Sequence, residues 1–214
     1  MAEKYVDIDT LKYLLYDIHN LEDLLVRDRF QDHDKESLDM FIDSVKEFAD
    51  RELFPYVKEM DENPAYHKDG KVFVHDQVKT MMYKGGEMGL ISAPFNYEDG
   101  GMQIPFLSHT AATYILDAAN NHLPGYAGLT QGAAELIIHF ANKELNQTYV
   151  PNMLSGQWGG TMCLTEPQAG SSLSDIVTKA TPTKDGYYKL TGQKIFISGG
   201  DNNFTENVVH LVLA

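Results

Sequence analysis

The sequence predicts an α+β fold, in which an all-α helical N-terminal domain is followed by an incomplete antiparallel β-domain. Apolar residues recur at helical spacing as far as about residue 157, and the period changes after Trp158. The segments that follow are short and rich in β-branched and aromatic residues, as strands are. We therefore expect an N-terminal helical extension over residues 1–30, a helical domain over 31–157 and a partial β-domain over 158–214.

The helical part is predicted to contain six helices. In the first, leucines and one isoleucine recur at helical spacing, and in the second Pro55 should kink or break the helix. The fourth is apolar around most of its surface, which favours a central place in a bundle. The predicted ranges are 10–27, 36–60, 75–88, 106–120, 129–142 and 143–155.

The β-part is predicted to contain five strands, over 161–166, 178–181, 187–192, 193–198 and 207–214. The pair Asp185-Gly186 lies between two of them and predicts a tight hairpin turn. The chain ends at Ala214 inside an apolar strand, which would leave a sheet edge unpaired. We therefore expect the chain to be the front portion of a longer protein, truncated before a C-terminal helical bundle.

Composition narrows the class of protein. The formal net charge is −14 and no basic cluster occurs, so nucleic acid and anionic membranes are poor partners. The single cysteine, Cys163, excludes an internal disulfide and favours a reducing compartment. The N-terminus lacks the pattern of a signal peptide, and no apolar run is long enough to span a membrane. These features predict a soluble, cytoplasmic protein.

Several common sites are missing from the sequence. The eight histidines show no metal-ligand spacing, and Cys163 has no second thiol, so no metal site is predicted. No dinucleotide-binding G-x-G-x-x-G, G-x-S-x-G elbow or Walker lysine motif occurs. We predict no catalytic residue within these 214 residues.

The segment TMCLTEPQAGSS (161–172) has a composition suited to binding an anionic group. It predicts a strand that breaks at Pro167 and opens into a loop of small residues, whose backbone N–H groups and hydroxyls can approach a phosphate closely. Thr165, at the end of the strand, could offer a hydroxyl and a backbone donor to a ring heteroatom. A loop rich in Gly and Ser for turn reasons alone would look the same.

The segment GQKIFISGG (192–200) predicts a strand with two different faces. Ile195 and Ile197 alternate with Lys194, Phe196 and Ser198. An aromatic ring followed two residues later by a hydroxyl can stack on one flat heterocycle and hydrogen-bond to it. The alternative is an ordinary half-buried strand.

Together the two segments resemble the acyl-CoA dehydrogenase family. That family carries a C-x-T-E-P-x-A-G-S-D loop followed by a G-x-K-x-(W/F)-I-(S/T) strand, which stand here as residues 163–172 and 192–198. Residues 47–62, 88–101 and 141–167 also resemble family segments in family order. The amino-acid sequences of residues 128–137 and 205–214 most resemble a subfamily of long chains that includes 3-(methylthio)propanoyl-CoA dehydrogenase. Two departures are Ser172, where the family has Asp, and Phe196, where many relatives have Trp.

The resemblance implies a flavoprotein oxidoreductase that uses FAD, dehydrogenates an acyl-CoA substrate and passes electrons to an electron-transferring flavoprotein. It implies a homodimer or larger homo-oligomer, and a catalytic glutamate in a C-terminal helical domain that this chain does not contain. By matching position, the cofactor-binding residues are Met162, Leu164 and Thr165 beside the flavin ring, Gly170 and Ser171 at the pyrophosphate, Phe196 over the ring and Ser198 near N5. Ser171 would also contact the substrate thioester.

Two alternatives remain open at this stage. An acyl-CoA oxidase would share the fold and the flavin chemistry, and a non-catalytic helical interaction module would use the Gly/Ser loop only as a turn. Leu129 and Thr130 could border an acyl pocket or simply pack in the core.

Overall fold

The computed structural model of the chain describes residues 5–214, so the first four residues of the predicted extension lie outside the described residues. The extension is not one helix over 10–27. It consists of α1 (Ile8–Tyr13), a π-helical turn (Leu14–Ile18), α2 (Glu22–Leu25) and a 3₁₀ turn (Asp28–Phe30). Asn20, with φ of 48°, adopts a left-handed conformation that ends the first helical stretch.

The second predicted helix is interrupted where Pro55 predicts it. Helix α3 (Lys35–Phe48) begins at Asp34, whose carboxylate accepts from the Ser37 amide in a capping box. The chain continues through a π-helical turn (Ala49–Leu53) and a 3₁₀ turn (Phe54–Tyr56) into α4 (Val57–Glu62). Proline lacks the N–H that a continuous helix needs, so the break is confirmed.

A hairpin that we did not predict follows α4. Strands β1 (Tyr66–Lys68) and β2 (Lys71–Phe73) pair antiparallel around Asp69 and Gly70. Both turn residues have positive φ, 51° and 76°, as the mirror-image turns of two-residue hairpins require. The Asp-Gly pair was the signal in the sequence that could have identified it.

Four helices complete the helical part: α5 (Asp76–Glu87), α6 (Phe106–Asn120), α7 (Pro124–Phe140) and α8 (Lys143–Leu154), with a 3₁₀ turn (Tyr97–Asp99) before α6. Helix α7 begins five residues earlier than predicted because Pro124 occupies its first turn, where proline is favoured. Helix α6 packs against α3 and α7, and its Asn120 donates to the Leu53 carbonyl at 3.0 Å. Within residues 5–214, no helix is both long and apolar enough to cross a bilayer.

The β-part contains β3 (Trp158–Cys163), a 3₁₀ turn (Leu173–Asp175), β4 (Lys179–Pro182), β5 (Tyr188–Thr191) and β6 (Asn207–Val212). Strands β4 and β5 pair antiparallel around Gly186, which confirms the predicted hairpin. Strands β3 and β6 pair in parallel, from Trp158 opposite Asn207 to Cys163 opposite Val212. This pair departs from the antiparallel arrangement that we expected, because residues 164–206 form the crossover that parallel strands need.

The predicted strand over 193–198 is wrong. The structure places no regular strand there, and Phe196 has a φ of 58°, in the left-handed region. A left-handed residue ends the alternation of side chains on which the two-faced strand depended.

Candidate functional site

The anchor of the site is strand β3, which lies between helix α7 and strand β6. Helix and strand approach closely at Gly160, since a Cβ there would lie 2.9 Å from the Ala133 Cβ and the Thr130 Cα. The Thr130 hydroxyl accepts a hydrogen bond from the Gly160 amide at 3.0 Å. Thr130 is buried and connects the helix to the strand. Of the two roles considered for Thr130 from the sequence, bordering an acyl pocket or packing in the core, this position corresponds to packing in the core.

The loop after β3 begins with a tight turn, which two backbone hydrogen bonds between Glu166 and Ala169 close. The amide of Glu166 donates to the Ala169 carbonyl at 2.8 Å, and the Ala169 amide donates back to the Glu166 carbonyl at 3.1 Å. Ala169 is buried by this turn, whereas Gly170 and Ser171 remain exposed. A Cβ at Gly170 would have the Thr165 methyl, at 4.0 Å, as its only close neighbour, so the loop presents backbone and hydroxyls on an open surface.

Glu166 is the centre of this loop. The residue is 2% exposed, and its carboxylate accepts four hydrogen bonds, which join three segments of the chain. The donors are the Gln168 amide group at 2.6 Å, the backbone amides of Val177 at 2.8 Å and Thr178 at 3.0 Å, and the Lys194 ammonium at 2.9 Å.

These donors stabilise the ionised form of Glu166. The adjacent Thr178 side chain, the Val177 amide and the Lys194 ammonium hold the pKa of the Glu166 carboxyl far below its usual range, against the opposing effect of burial. The Thr178 hydroxyl makes no hydrogen bond with a described residue, so the Gln168 side chain, the two backbone amides and Lys194 are the groups that hydrogen-bond to the carboxylate. Glu166 is therefore a fixed anion with both oxygens occupied.

Lys194 brings the second motif to the first. Its ammonium also donates to the Leu164 carbonyl at 2.9 Å, and the Ile195 amide donates to the Thr165 carbonyl at 3.0 Å. Phe196 follows immediately and is 88% exposed. The structure therefore holds residues 164–166 and 194–196 side by side, even though the second segment is not a strand.

The predicted cofactor residues fall into three places. Met162, Leu164 and Thr165 are half-buried along the end of β3. Gly170 and Ser171 lie on the exposed turn, and Phe196 is exposed beside Thr165. Ser198 is exposed and precedes Gly199, where an added Cβ would lie 3.5 Å from the Tyr126 ring and 4.0 Å from the Leu129 side chain on α7. The Ser171 and Ser198 hydroxyls form no hydrogen bond with other residues in the described part of the chain.

The residues present fit a flat aromatic group that carries an anionic arm. An exposed phenylalanine supplies a stacking face and the half-buried end of β3 supplies an apolar edge. The 170–171 turn supplies small residues whose hydroxyl and amide donors bond to no residue of the described part of the chain. Ser172, which replaces the usual Asp, makes its only side-chain hydrogen bond within residues 5–214 to the Ser174 hydroxyl at 3.3 Å.

The role of Glu166 and Lys194 in joining the two motifs was missed by our sequence reasoning. The signal was a carboxylate in a loop of otherwise small or neutral residues, together with a lysine in the only other motif that we singled out. A buried charge needs a partner, and this lysine was the available one.

Comparison with known proteins identifies the family. A model of the acyl-CoA dehydrogenase N-terminal domain matches residues 35–157. The chain is 38% identical, over 69% of its length, to the 3-methylmercaptopropionyl-CoA dehydrogenase of Ruegeria pomeroyi, and covers 25% of that protein. It is 32% identical, over 95% of its length, to a butyryl-CoA dehydrogenase of Syntrophomonas wolfei, and covers 34% of it.

Solved structures show the same fold. The butyryl-CoA dehydrogenase of Megasphaera elsdenii superposes on 78% of this chain with a TM-score of 0.66 and 26% identity, and the match covers 42% of that structure. The chain thus spans a quarter of the length of one of the two relatives in sequence and about a third of the other. Its sequence and its fold both place this chain in the acyl-CoA dehydrogenase family.

Proposed function

We propose that the whole protein is an FAD-dependent acyl-CoA dehydrogenase, which removes the α-proton and the β-hydride of an acyl-CoA thioester. The observation that carries this proposal is the joining of the two motifs by Glu166 and Lys194. This joining leaves Phe196, Gly170 and Ser171 on the surface with their stacking and donor groups free.

The residues of this chain would bind and orient the cofactor. Met162, Leu164 and Thr165 would contact the edge of the flavin ring, and Phe196 would cover its face. Gly170 and Ser171 would donate to the pyrophosphate, Ser171 would also lie near the thioester, and Ser198 would donate near N5. When bound, the flavin supplies a two-electron acceptor for the hydride.

The proton acceptor belongs elsewhere in the proposed enzyme. Glu166 cannot serve as the base, because its carboxylate is buried and each oxygen already accepts two hydrogen bonds. We propose that the base is the glutamate that the family carries in its C-terminal helical domain.

We also propose that the chain divides into a helical extension, a helical domain and a partial β-domain.

The wider setting follows from the family. We propose that the enzyme acts in fatty acid metabolism, assembles as a homodimer or larger homo-oligomer and passes its electrons to an electron-transferring flavoprotein. The buried, unpaired Cys163 supports a reducing, cytoplasmic location.

The test is an anaerobic titration of the full-length, FAD-loaded protein with a panel of acyl-CoAs of different chain length. We expect at least one acyl-CoA to bleach the flavin absorbance, and the best substrate to identify the acyl group. Rapid peroxide formation in air would select the oxidase instead. If no acyl-CoA bleaches the flavin, the dehydrogenase proposal fails, and the hypothesis that the protein is a non-catalytic helical interaction module is favoured instead.

A further inference from the structure

Residues 196–198 carry two of the proposed flavin contacts, Phe196 and Ser198, and their own contacts do little to fix them in place. Phe196 is 88% exposed, so packing does not hold its ring. No backbone hydrogen bond joins residues 196–198 to any described residue before 194 or after 200. The position of this segment is therefore set by the residues on either side of it.

The backbone at Phe196 adopts a conformation that is rare for an aromatic residue. Its φ of 58° lies in the left-handed region, where the Cβ of an L-residue comes too close to a carbonyl oxygen. Such a conformation persists only where the surrounding structure imposes it. Because φ and ψ determine the direction of the Cα–Cβ bond, the contacts that impose this conformation also direct the ring.

On its N-terminal side the segment is held by the loop after β3. The Ile195 amide donates to the Thr165 carbonyl at 3.0 Å, and the Lys194 ammonium donates to the Glu166 carboxylate at 2.9 Å. We call these contacts the upstream anchor. They belong to the β-part and end immediately before Phe196.

On its C-terminal side the chain is held by the helical part. The Tyr83 hydroxyl on α5 donates to the Phe204 carbonyl at 3.0 Å, and the two rings meet edge to face with centroids 6.0 Å apart. The Asn203 side-chain oxygen accepts from the amide of Val74, the residue after β2, at 3.0 Å. We call these contacts the downstream anchor.

The turn on which the downstream anchor acts is braced internally. The Asn202 side-chain oxygen accepts from the Phe204 amide at 3.1 Å, from the Thr205 amide at 2.8 Å and from the Thr205 hydroxyl at 3.0 Å. Nearer to the segment, an added Cβ at Gly199 would lie 3.5 Å from the Tyr126 ring of α7. The turn therefore lies against the helical part as one unit.

We propose that Tyr83 and Asn203 are positioning residues of the flavin site, which keep Phe196 in its left-handed conformation by holding the turn that follows it. The inference rests on the proposed function and goes beyond it, since neither residue is among the proposed flavin contacts. When the downstream anchor is released, Phe196 relaxes towards the extended conformation that aromatic residues prefer, and its ring turns away from the cofactor.

The FAD dissociation constant of the full-length protein tests this role. Asn203→Ala removes the acceptor of the Val74 amide and changes only an exposed side chain, so the fold is kept. We expect the dissociation constant to rise about threefold, within the range expected for one aromatic stacking contact. Asn203→Asp, which keeps an acceptor oxygen, should retain the wild-type affinity. Tyr83→Phe should weaken binding as Asn203→Ala does, whereas Tyr97→Phe, the same change at an exposed tyrosine, should not.

A double-mutant cycle shows whether the anchor acts through the ring of Phe196. If it does, Asn203→Ala has no further effect on FAD affinity in a Phe196→Leu background. An undiminished effect in that background, an equal loss in Asn203→Asp, or an unchanged affinity in Asn203→Ala overturns the inference and leaves the proposed function standing. An unchanged affinity in Phe196→Leu alone would remove the proposed flavin contact itself, and the inference with it.

Discussion

Glu166 shows how a single buried side chain can organise a site without taking part in its chemistry. The carboxylate accepts hydrogen bonds from two backbone amides, a side-chain amide and an ammonium. These bonds hold the loop that begins at Thr165 against the segment that begins at Lys194. Since these contacts use all the polar capacity of Glu166, the hydroxyls and amides of the neighbouring turn stay free for a ligand.

This arrangement predicts a specific pH dependence of stability. The pKa of Glu166 is lowered in the folded state, so its contribution is complete above the ordinary value of 4.5 and is lost as the pH falls below it, where the unfolded chain binds a proton that the folded chain does not. Glu166→Gln should therefore be less stable than the wild type at pH 7, and the difference in unfolding free energy should narrow towards pH 3. Urea denaturation at several pH values measures this. A difference that is constant from pH 7 to pH 3 would contradict the account, and Glu98→Gln, at an exposed acid, should show none at any pH.

The residue scale is also where sequence reasoning reached its limit. The loop of small residues after Pro167 was predictable because turn chemistry is local. The hydrogen bonds from the Val177 and Thr178 backbone amides to Glu166 were not predictable, because these residues lie 11 and 12 positions away and only the folded chain brings them near. Only the pairing with Lys194, the lysine of the second motif, had a signal in the sequence.

At the scale of elements, the contact between α7 and β3 positions the site. Gly160 allows the strand to lie against the helix, and its amide is bound by Thr130. The strand end that carries Met162, Leu164 and Thr165 is therefore fixed by packing further back along β3.

Paired alanine substitutions test that contact. Gly160→Ala would place a Cβ 2.9 Å from atoms of Thr130, Ala133 and Met153, and we expect it to lower the unfolding free energy by about 1–3 kcal/mol. Gly159→Ala, one residue earlier on the same strand, meets only the Val208 side chain at 3.6 Å and should be tolerated. Urea denaturation of both variants decides, and equal losses would show that Gly160 is not the point of close approach.

Residues 29–33 restrain a loop of the helical part. Arg29 donates to the Asn96 side chain and, at 3.3 Å, to the Pro94 carbonyl, while Gln103 donates to the Arg29 carbonyl at 3.0 Å. His33 Nε2 lies 2.9 Å from the Met102 carbonyl. The loop from residue 94 to residue 103 is thus tied at both ends to residues 29–33.

Arg29→Ala should loosen this loop more than it weakens the whole molecule. We expect faster amide hydrogen exchange in peptides that cover residues 94–103, with a loss of unfolding free energy of about 1 kcal/mol, the size of an ordinary hydrogen bond. The matched control is Arg27→Ala, an exposed arginine on the same segment. Exchange rates that are equal in the two variants would mean that Arg29 does not restrain the loop.

Element boundaries show which sequence signals were sufficient. The Asp185-Gly186 pair and Pro55 determine the backbone conformation at their own positions, so the hairpin at Gly186 and the helix break at Pro55 were predictable. The predicted strand over 193–198 failed because alternation alone does not supply a partner strand, and Lys194 turns inward to Glu166 instead. The parallel pairing of β3 and β6 could not be predicted from the sequence either, since the relative direction of the two strands depends on the path of residues 164–206.

At the scale of the whole molecule, this chain supplies one side of the proposed cofactor site. Its flavin-facing groups are exposed or half-buried, and a tight cofactor site encloses most of its ligand's surface. The remaining enclosure would come from the C-terminal helical domain and a neighbouring subunit of the proposed enzyme.

The 214-residue chain alone should therefore retain no FAD and show no dehydrogenase activity. Purification in buffer that contains FAD, followed by gel filtration and an absorbance spectrum, measures this directly. A colourless protein with helical circular dichroism is the expected result. A yellow protein with stoichiometric flavin would show that the residues of this chain enclose the cofactor without further domains.

Phe196 offers the most direct measurement of the central claim that this surface binds flavin. The claim predicts that Phe196→Leu in the full-length protein raises the FAD dissociation constant about three- to tenfold, the range expected for one aromatic stacking contact, while the melting temperature of the flavin-free protein stays unchanged. Phe140→Leu, at a phenylalanine that is 82% exposed on α7, is the matched control and should change neither. An unchanged dissociation constant in Phe196→Leu, or the same change in both variants, would contradict the account.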